Sequence, residues 1–169
     1  MRLIIKNFKF KFYFKGEIKI MSVDIKLDKN CIHVVFLGLP NVPGVASKIF
    51  STLAQNNFNF DMITQNTMRG GRSDVSFLIN KNKLDDVIPI CRKLSDDIGA
   101  QGVSFATEIA AIKVNNNNSQ EALVKMFNAL ANAGANIEII NATTESVIFI
   151  ISLTHADSAF NALNKIFED

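Results

Sequence analysis

Two neighbouring segments of the sequence carry groups that could bind a small amino acid. In the first segment, an apolar strand is predicted to run into a Pro-Gly turn and then into a helix. Free amide N–H groups at a helix start attract a carboxylate. The residues of this turn are Asn41, Pro43, Gly44, Val45 and Ala46. Alternatively, they form only a capped turn, in which Asn41 lies near the helix start and Gly44 lets the backbone pack closely.

The second segment starts the next strand and could supply the partner of an ammonium group. Asn59, Asp61 and Gln65 lie two and four residues apart, so in a regular strand their side chains share one face. They either point to solvent or line a cleft that recognises an ammonium group and a polar side chain. A lysine ligand would favour a second acidic residue nearby, whereas threonine would need only neutral partners, and the sequence leaves both open.

Part of the sequence occurs twice at a constant offset of 77 residues, as between Phe50 and Phe127. The matching residues are Lys48, Phe50, Leu53, Ala54, Asn59, Asp61 and Ile63 in the first copy and Lys125, Phe127, Leu130, Ala131, Asn136, Glu138 and Ile140 in the second. Matches in one register across a helix and the following strand predict two copies of one structural unit. The residues Asn136, Ile137 and Glu138 are the counterpart of the first strand start, and they could contribute to a site across an interface.

The first copy is predicted to contain four strands and two helices. The strands are Cys31–Leu39, Phe58–Thr67, Ser73–Asn80, after a hairpin turn at Gly70-Gly71, and Gly102–Thr107. The helices are Pro43–Asn56, with proline at its first position, and Leu84–Ile98, which Pro89 interrupts near its start. The order βαββαβ is that of the split-βαβ, ferredoxin-like sandwich.

The second copy repeats this order but ends before a fourth strand. Its strands are Glu108–Val114, Asn136–Asn141 and Val147–Leu153, and its helices are Ser119–Ala133 and Ala156–Phe167. The strand-like segment Ser22–Leu27 precedes the first copy, and we expect it to complete the second sheet. The sequence therefore predicts an α+β fold of two ferredoxin-like domains, the first (residues 28–107) inserted within the second (residues 22–27 and 108–169).

Residues 1–21 have an unusual pattern, in which phenylalanine and lysine alternate with the period of a strand. An edge strand would account for this pattern, and so would a basic surface that contacts RNA or a membrane. We favour a translated extension outside the fold, with Met21 as the functional start.

Composition excludes several classes of protein. The formal net charge of +2 is too small to indicate a nucleic-acid-binding protein, and no apolar run is long enough for a membrane span. Cys31 and Cys91 lack CxxC spacing and are interpreted as buried thiols of a cytoplasmic protein. His33 and His155 have no ligands at metal-binding spacing, and there is no P-loop, HExxH or GxSxG motif. We expect no cofactor, no metal, no catalytic residue, no nucleic acid and no membrane partner.

Two stretches carry a family resemblance, PNVPGVASKIFSTLAQNNFNFDMITQN in the first copy and KMFNALANAGANIEII in the second. They resemble the regulatory region of aspartate kinases, which is built from two ACT domains. The resemblance extends over about Ser22 to Phe167. The lysine-rich nucleotide and aspartate motifs of the kinase domain are not found in this sequence, so whether the chain takes part in an enzyme stays open.

The resemblance implies a function. In that family the ACT pair binds an end product of the pathway, usually lysine or threonine, and shifts an attached kinase towards an inhibited state. The chain would then bind an amino-acid effector, form a homodimer through its ACT domains and act on an aspartate kinase catalytic chain. Some members make this part as a separate subunit. A stand-alone or decayed ACT-domain binding protein without a kinase partner is the alternative.

The second copy departs from the family pattern at the turn. Gln120 and Glu121 occupy the positions of Pro43 and Gly44. A glutamate at the helix start would repel a ligand carboxylate, so we predict that the second copy has lost an effector site of its own.

Overall fold

The computed structural model describes residues 3–14, 17–115 and 119–168. The chain divides into two compact units. The continuous unit is Asn30–Thr107, and the split unit combines Met1–Lys29 with Glu108–Asp169. None of the helices in the described ranges is long and apolar enough to cross a membrane.

Single helices are separated by pairs of strands along most of the chain. In chain order they are β1 (Ile4–Phe14), β2 (Glu17–Asp28), β3 (Cys31–Pro40), α1 (Val45–Gln55), β4 (Phe60–Met68), β5 (Arg72–Asn80), α2 (Leu84–Asp97), β6 (Gly102–Ala106), β7 (Ile109–Asn115), α3 (Gln120–Asn132), β8 (Ile137–Ala142), β9 (Ser146–Ser152) and α4 (Ala156–Ile166). Apart from β1 and the longer β2, each element begins and ends within two residues of its predicted bounds.

The continuous unit has one antiparallel sheet with the strand order β4-β5-β3-β6. Alternate residues of β3 and β5 are apolar, so one face of the sheet packs against α1 and α2. The buried core residues are Ile32, Val34, Phe36, Leu39, Ile49, Leu53, Phe58, Val75, Phe77, Ile79, Val87, Cys91 and Leu94. This core fixes the turn that precedes α1 and the hairpin that follows β4.

The split unit has an antiparallel sheet with the order β1-β2-β7-β9-β8. Without β1, the strands β2, β7, β9 and β8 take the places that β6, β3, β5 and β4 have in the continuous unit. A helix phenylalanine contacts a buried strand phenylalanine in each unit, with ring centroids 5.7 Å apart for Phe50 and Phe77 and 6.1 Å apart for Phe127 and Phe149. The prediction of an α+β fold with two antiparallel sheets is confirmed.

The segment Ser22–Leu27 lies within β2. Ile25 pairs with Val114 and Leu27 pairs with Ile112 of β7. Val23, Ile25 and Leu27 are fully buried in the core of the split unit. This segment therefore belongs to the split unit and contributes to its hydrophobic core.

The structure differs from the expectation for residues 1–21. Ile4–Phe14 forms the strand β1, which pairs with β2 along its whole length from Ile4–Leu27 to Phe14–Glu17. The Phe8 ring packs against the core, 6.4 Å from the Phe167 ring, and Lys6 Nζ lies 3.4 Å from Glu168 Oε1. The period-two pattern produces a strand here because β2 offers it an edge of unpaired backbone groups. Residues 1, 2, 15 and 16 lie outside the described ranges.

The helix α2 also differs in one detail, because it continues through Pro89 without a break. Pro89 is the sixth residue of α2, so the hydrogen bond that it cannot donate is one to Asp85 in the first turn. A proline this close to a helix start costs one bond and does not interrupt the helix.

Candidate functional site

The Pro-Gly turn lies between β3 and α1. Gly44 has a φ of 96°, in the left-handed region that glycine adopts without a steric cost. Because this conformation is not helical, α1 begins at Val45 and not at the predicted Pro43. Pro43 and Gly44 therefore form a separate turn that leads the chain into the helix.

The start of α1 is not capped by a side chain. Its N-cap residue is Gly44, which has no side chain to accept a hydrogen bond from the first amides. The first turn of α1 contains no acidic residue either. Helices otherwise satisfy these first amides with Ser, Thr, Asp or Asn side chains. The amide N–H groups at this helix start are thus suited to an anionic group from elsewhere.

A cavity of about 450 Å³ lies beside this helix start. It is lined by Pro40, Asn41, Val42, Pro43, Gly44, Val45, Ala46, Gln65, Ser73 and Val75. The five predicted turn residues line it together, and Gln65 joins them from β4. None of the lining side chains carries a charge.

A bulge in β4 determines which strand residues reach this cavity. Asp61 pairs with Leu78 and Thr64 pairs with Ser76, so β4 contains one more residue than β5 between these pairs. Beyond the bulge, Gln65 pairs with Val75, whose side chain faces the helices. Asp61 faces the other side of the sheet, so the predicted common face of Asp61 and Gln65 is wrong.

The remaining strand candidates lie elsewhere. Asn59 precedes β4 and lines a separate hollow of about 500 Å³ with Ala54, Asn57, Phe58 and Phe60. The Asp61 carboxylate accepts a hydrogen bond from the Met62 amide at 2.8 Å.

The counterpart helix start in the split unit is capped by a side chain of the protein. The helix α3 begins at Gln120, and the Ser119 hydroxyl accepts a hydrogen bond from the Ala122 amide at 3.2 Å. Glu121 in the first turn pairs with Lys125 at 2.8 Å, and the hydrogen bond to Lys125 lowers the pKa of Glu121. At the start of β8, Asn136 and Glu138 are exposed and Ile137 packs against the core.

Two residues that sequence reasoning missed, Arg72 and Asp74, hold the end of β3 before the turn. Gly38 has a φ of 56°, and its amide donates to Asp74 Oδ1 at 2.7 Å. Arg72 Nη1 donates to the carbonyls of Gly38 and, at 3.2 Å, Gly99. Both charged residues start β5, just after the hairpin turn. The only sequence signal for this arrangement is a glycine inside an apolar strand, which is typical of a bulge.

The other titratable groups show no catalytic arrangement. Burial raises the pKa of the Cys91 thiol to about 12, which keeps it protonated and unreactive at neutral pH. Within the described ranges, no three His, Cys, Asp or Glu side chains lie close enough to hold a metal ion.

His33 makes the stability of the chain depend on pH. Its Nε2 atom is buried and has no hydrogen-bond partner among the described residues, and burial lowers the pKa of His33 below its ordinary 6.5. The unfolded chain therefore binds this proton first as the pH falls. We expect the free energy of unfolding to keep its full value above pH 6.5, the ordinary pKa of histidine, and to fall as the pH drops through the lower pKa of the folded chain. The loss should be about 1.4 kcal/mol for each unit by which the folded and unfolded pKa values differ.

Urea denaturation between pH 7.5 and 5 measures this effect. The variant His33→Gln is the control, and it should show a flatter dependence over the same range. An equal slope in both proteins would contradict the assignment to His33.

Residues 33–96, most of the continuous unit, match the ACT domain. The βαββαβ order and the antiparallel sheet of this unit agree with the match, so the continuous unit contains an ACT domain.

Known proteins resemble the chain over most of its length. The aspartate kinase of Pseudomonas fluorescens is 31% identical over 147 residues, 85% of this chain and 36% of that protein. The ligand-free crystal structure of the aspartate kinase regulatory subunit from Thermus thermophilus is 27% identical, with a TM-score of 0.76, over 85% of this chain and 96% of that one. A crystal structure of aspartokinase alpha and beta subunits is 28% identical, with a TM-score of 0.76, over 86% of this chain and 97% of that one.

The chain spans about a third of the length of the curated aspartate kinases it matches, since it covers 36% of the Pseudomonas protein. It is an ACT-domain protein that resembles the regulatory subunit of aspartate kinases.

Proposed function

We propose that the chain is an amino-acid-sensing regulatory part of an aspartate kinase and binds its effector in the cavity of the continuous unit. The observation that carries this proposal is the uncapped start of α1, which opens beside a cavity of about 450 Å³. A ligand carboxylate there would accept hydrogen bonds from the first amides of α1 and complement the helix dipole. Asn41 and Gln65 would supply neutral polar groups for the rest of the ligand.

The lining of the cavity favours threonine over lysine as the effector. The side-chain ammonium of lysine would lose water without gaining a carboxylate, because no charged side chain lines the cavity. Asp61, the nearest acidic candidate in the sequence, faces the opposite side of the sheet. A hydroxyl group needs only the neutral partners that are present.

The domain arrangement proposed from the sequence also has support. The first ACT domain would be residues 28–107, inserted within a second that combines residues 22–27 and 108–169. The division of the chain into a continuous unit and a split unit agrees with this arrangement. The position of β2 beside β7 supports it as well.

A kinase catalytic chain and a second copy of this chain are the proposed partners. The similarity to a structure of aspartokinase alpha and beta subunits supports the first. Val124 and Phe127 on α3 and Ile140 on β8 are exposed apolar side chains, which support a homodimer. Asn136, just before β8, and Ile137 and Glu138 of β8 would lie near such an interface. Regulation would follow from linkage, since an effector that prefers one arrangement shifts its population.

Isothermal titration of the full chain with threonine, lysine and methionine tests the sensing function. We expect heat of binding with threonine and little with lysine. No heat with any of the three would contradict the proposed function. Copurification of a kinase chain from the native cell tests the partner.

The variant Ala46→Glu tests where the ligand carboxylate binds. Ala46 lines the cavity in the first turn of α1, so a glutamate there would place a negative charge on the amides meant for the ligand. We expect threonine affinity to fall at least about tenfold, because like charges are placed together. The helix itself should be stabilised by about 0.3–1 kcal/mol.

The matched control is Ala46→Gln, which has the same size without the charge. Titration calorimetry and thermal unfolding of both variants distinguish the effect of the added charge from the effect of the larger side chain. An equal loss of affinity in the two variants would mean that bulk is responsible and would contradict the carboxylate site.

A further inference from the structure

The bulge in β4 contains a strained residue. Met62 has a φ of 47°, in the left-handed region that side chains other than glycine rarely adopt, and it is buried. Met62 and Ile63 together oppose the single residue Phe77 of β5. Such a conformation persists only where the surrounding structure holds it.

Two polar contacts hold the bulge, one on each side of it. The Asp61 carboxylate accepts a hydrogen bond from the Met62 amide at 2.8 Å, which satisfies a donor of the strained residue. The Thr64 and Ser76 hydroxyls lie 2.7 Å apart and hold the register that follows. Asp61 thus acts within its own strand, on the residue that needs the unusual backbone conformation.

The bulge decides the face on which Gln65 lies. Without the extra residue, strand alternation would place Gln65 on the same face as Asp61, away from the helices. With it, Gln65 pairs with Val75 and lines the cavity beside α1.

We propose that Asp61 is a positioning residue, which stabilises the Met62 bulge and thereby places Gln65 in the effector cavity without contacting the effector. This inference rests on the proposed function, since it takes the effector to bind in this cavity. It assigns the Asp61 carboxylate a role as hydrogen-bond acceptor rather than as the partner of an ammonium group.

Conservative and rescuing variants test this role in the full chain. Asp61→Asn keeps an acceptor oxygen without the charge, so threonine affinity should stay within about threefold of the parent. Asp61→Ala removes the acceptor, and affinity should fall about tenfold as the competent register becomes less populated. Adding Met62→Gly to Asp61→Ala should restore most of the affinity, because glycine adopts a positive φ without strain.

A second readout does not depend on the ligand. Nuclear Overhauser contacts between Gln65 and Val75 in the ligand-free chain report the register directly. They should be present in the parent, in Asp61→Asn and in the double variant, and weakened in Asp61→Ala. The control is Glu145→Ala, because Glu145 is an exposed carboxylate in the turn between β8 and β9 and is not among the residues assigned to the effector site. It should leave the Gln65 contacts and threonine affinity unchanged.

The outcomes separate this inference from the proposed function. If no amino acid binds the parent but the Gln65–Val75 contacts still weaken in Asp61→Ala, the proposed function fails and the positioning role stands. If Asp61→Asn loses as much affinity as Asp61→Ala with the contacts intact, the charge of Asp61 acts on the ligand and the inference is wrong. Unchanged contacts and affinity in Asp61→Ala would also overturn it.

Discussion

Replacing Phe77 by alanine is expected to lower the free energy of unfolding by about 3–5 kcal/mol. Phe77 is fully buried in the continuous unit, and its ring centroid lies 6.4 Å from that of Phe36, 5.7 Å from Phe50 and 6.4 Å from Phe60. The substitution would leave a cavity and remove a shared partner from three rings. Urea denaturation of the variant and the parent measures the loss.

Two further variants serve as controls. Phe77→Leu keeps most of the volume and should cost less than half as much. Phe149→Ala makes the equivalent change in the split unit, where Phe149 is also fully buried. Both alanine variants should be destabilised, because each ring is buried in the core of its own unit. A loss below about 1 kcal/mol for Phe77→Ala would contradict the packing described here.

Gly38→Ala is expected to destabilise the chain by about 1–3 kcal/mol, because its φ of 56° is unfavourable for alanine. The added Cβ atom would meet only the Gln101 side chain, which is exposed and can turn away, so backbone strain is the main cost. The Gly38 amide also donates to Asp74 and its carbonyl accepts from Arg72, and these contacts hold the end of β3 beside the cavity. Threonine affinity should therefore fall together with the unfolding midpoint.

Gly70→Ala is the control for the strain of a positive φ. Gly70 has a φ of 82° with no atom within 4 Å of the added Cβ, so this variant measures backbone strain alone. Both variants should therefore lower the unfolding midpoint. If Gly38→Ala leaves the unfolding midpoint unchanged, the expectation is wrong.

Sequence reasoning worked where short-range patterns decide the structure. The alternation of apolar residues in β3 and β5, the proline and glycine before α1 and the offset between Phe50 and Phe127 are all local signals. They were sufficient for the order of the elements and for the turn that lines the cavity. The edge strand β1 was visible as a pattern, but its use depends on an open strand edge that only the folded sheet provides.

The face of Gln65 could not be predicted in the same way. A single inserted residue reverses every side chain beyond it, and the strained residue is methionine, which carries no sequence signal for a positive φ. The contacts of Arg72 and Asp74 with Gly38 were missed for a different reason. They join residues more than thirty positions apart through backbone groups, and no side-chain pattern marks such partners.

The two helix starts suggest how occupancy and stability are coupled in this chain. In α3 the Ser119 hydroxyl completes the first turn, whereas no side chain takes that place in α1. An effector in the cavity would thus act as a removable N-cap, and each binding event would add to the stability of α1 in the way a permanent serine does. Under the proposed function the ligand would become a structural component of the domain that binds it, and its concentration would be measurable as a change in melting temperature.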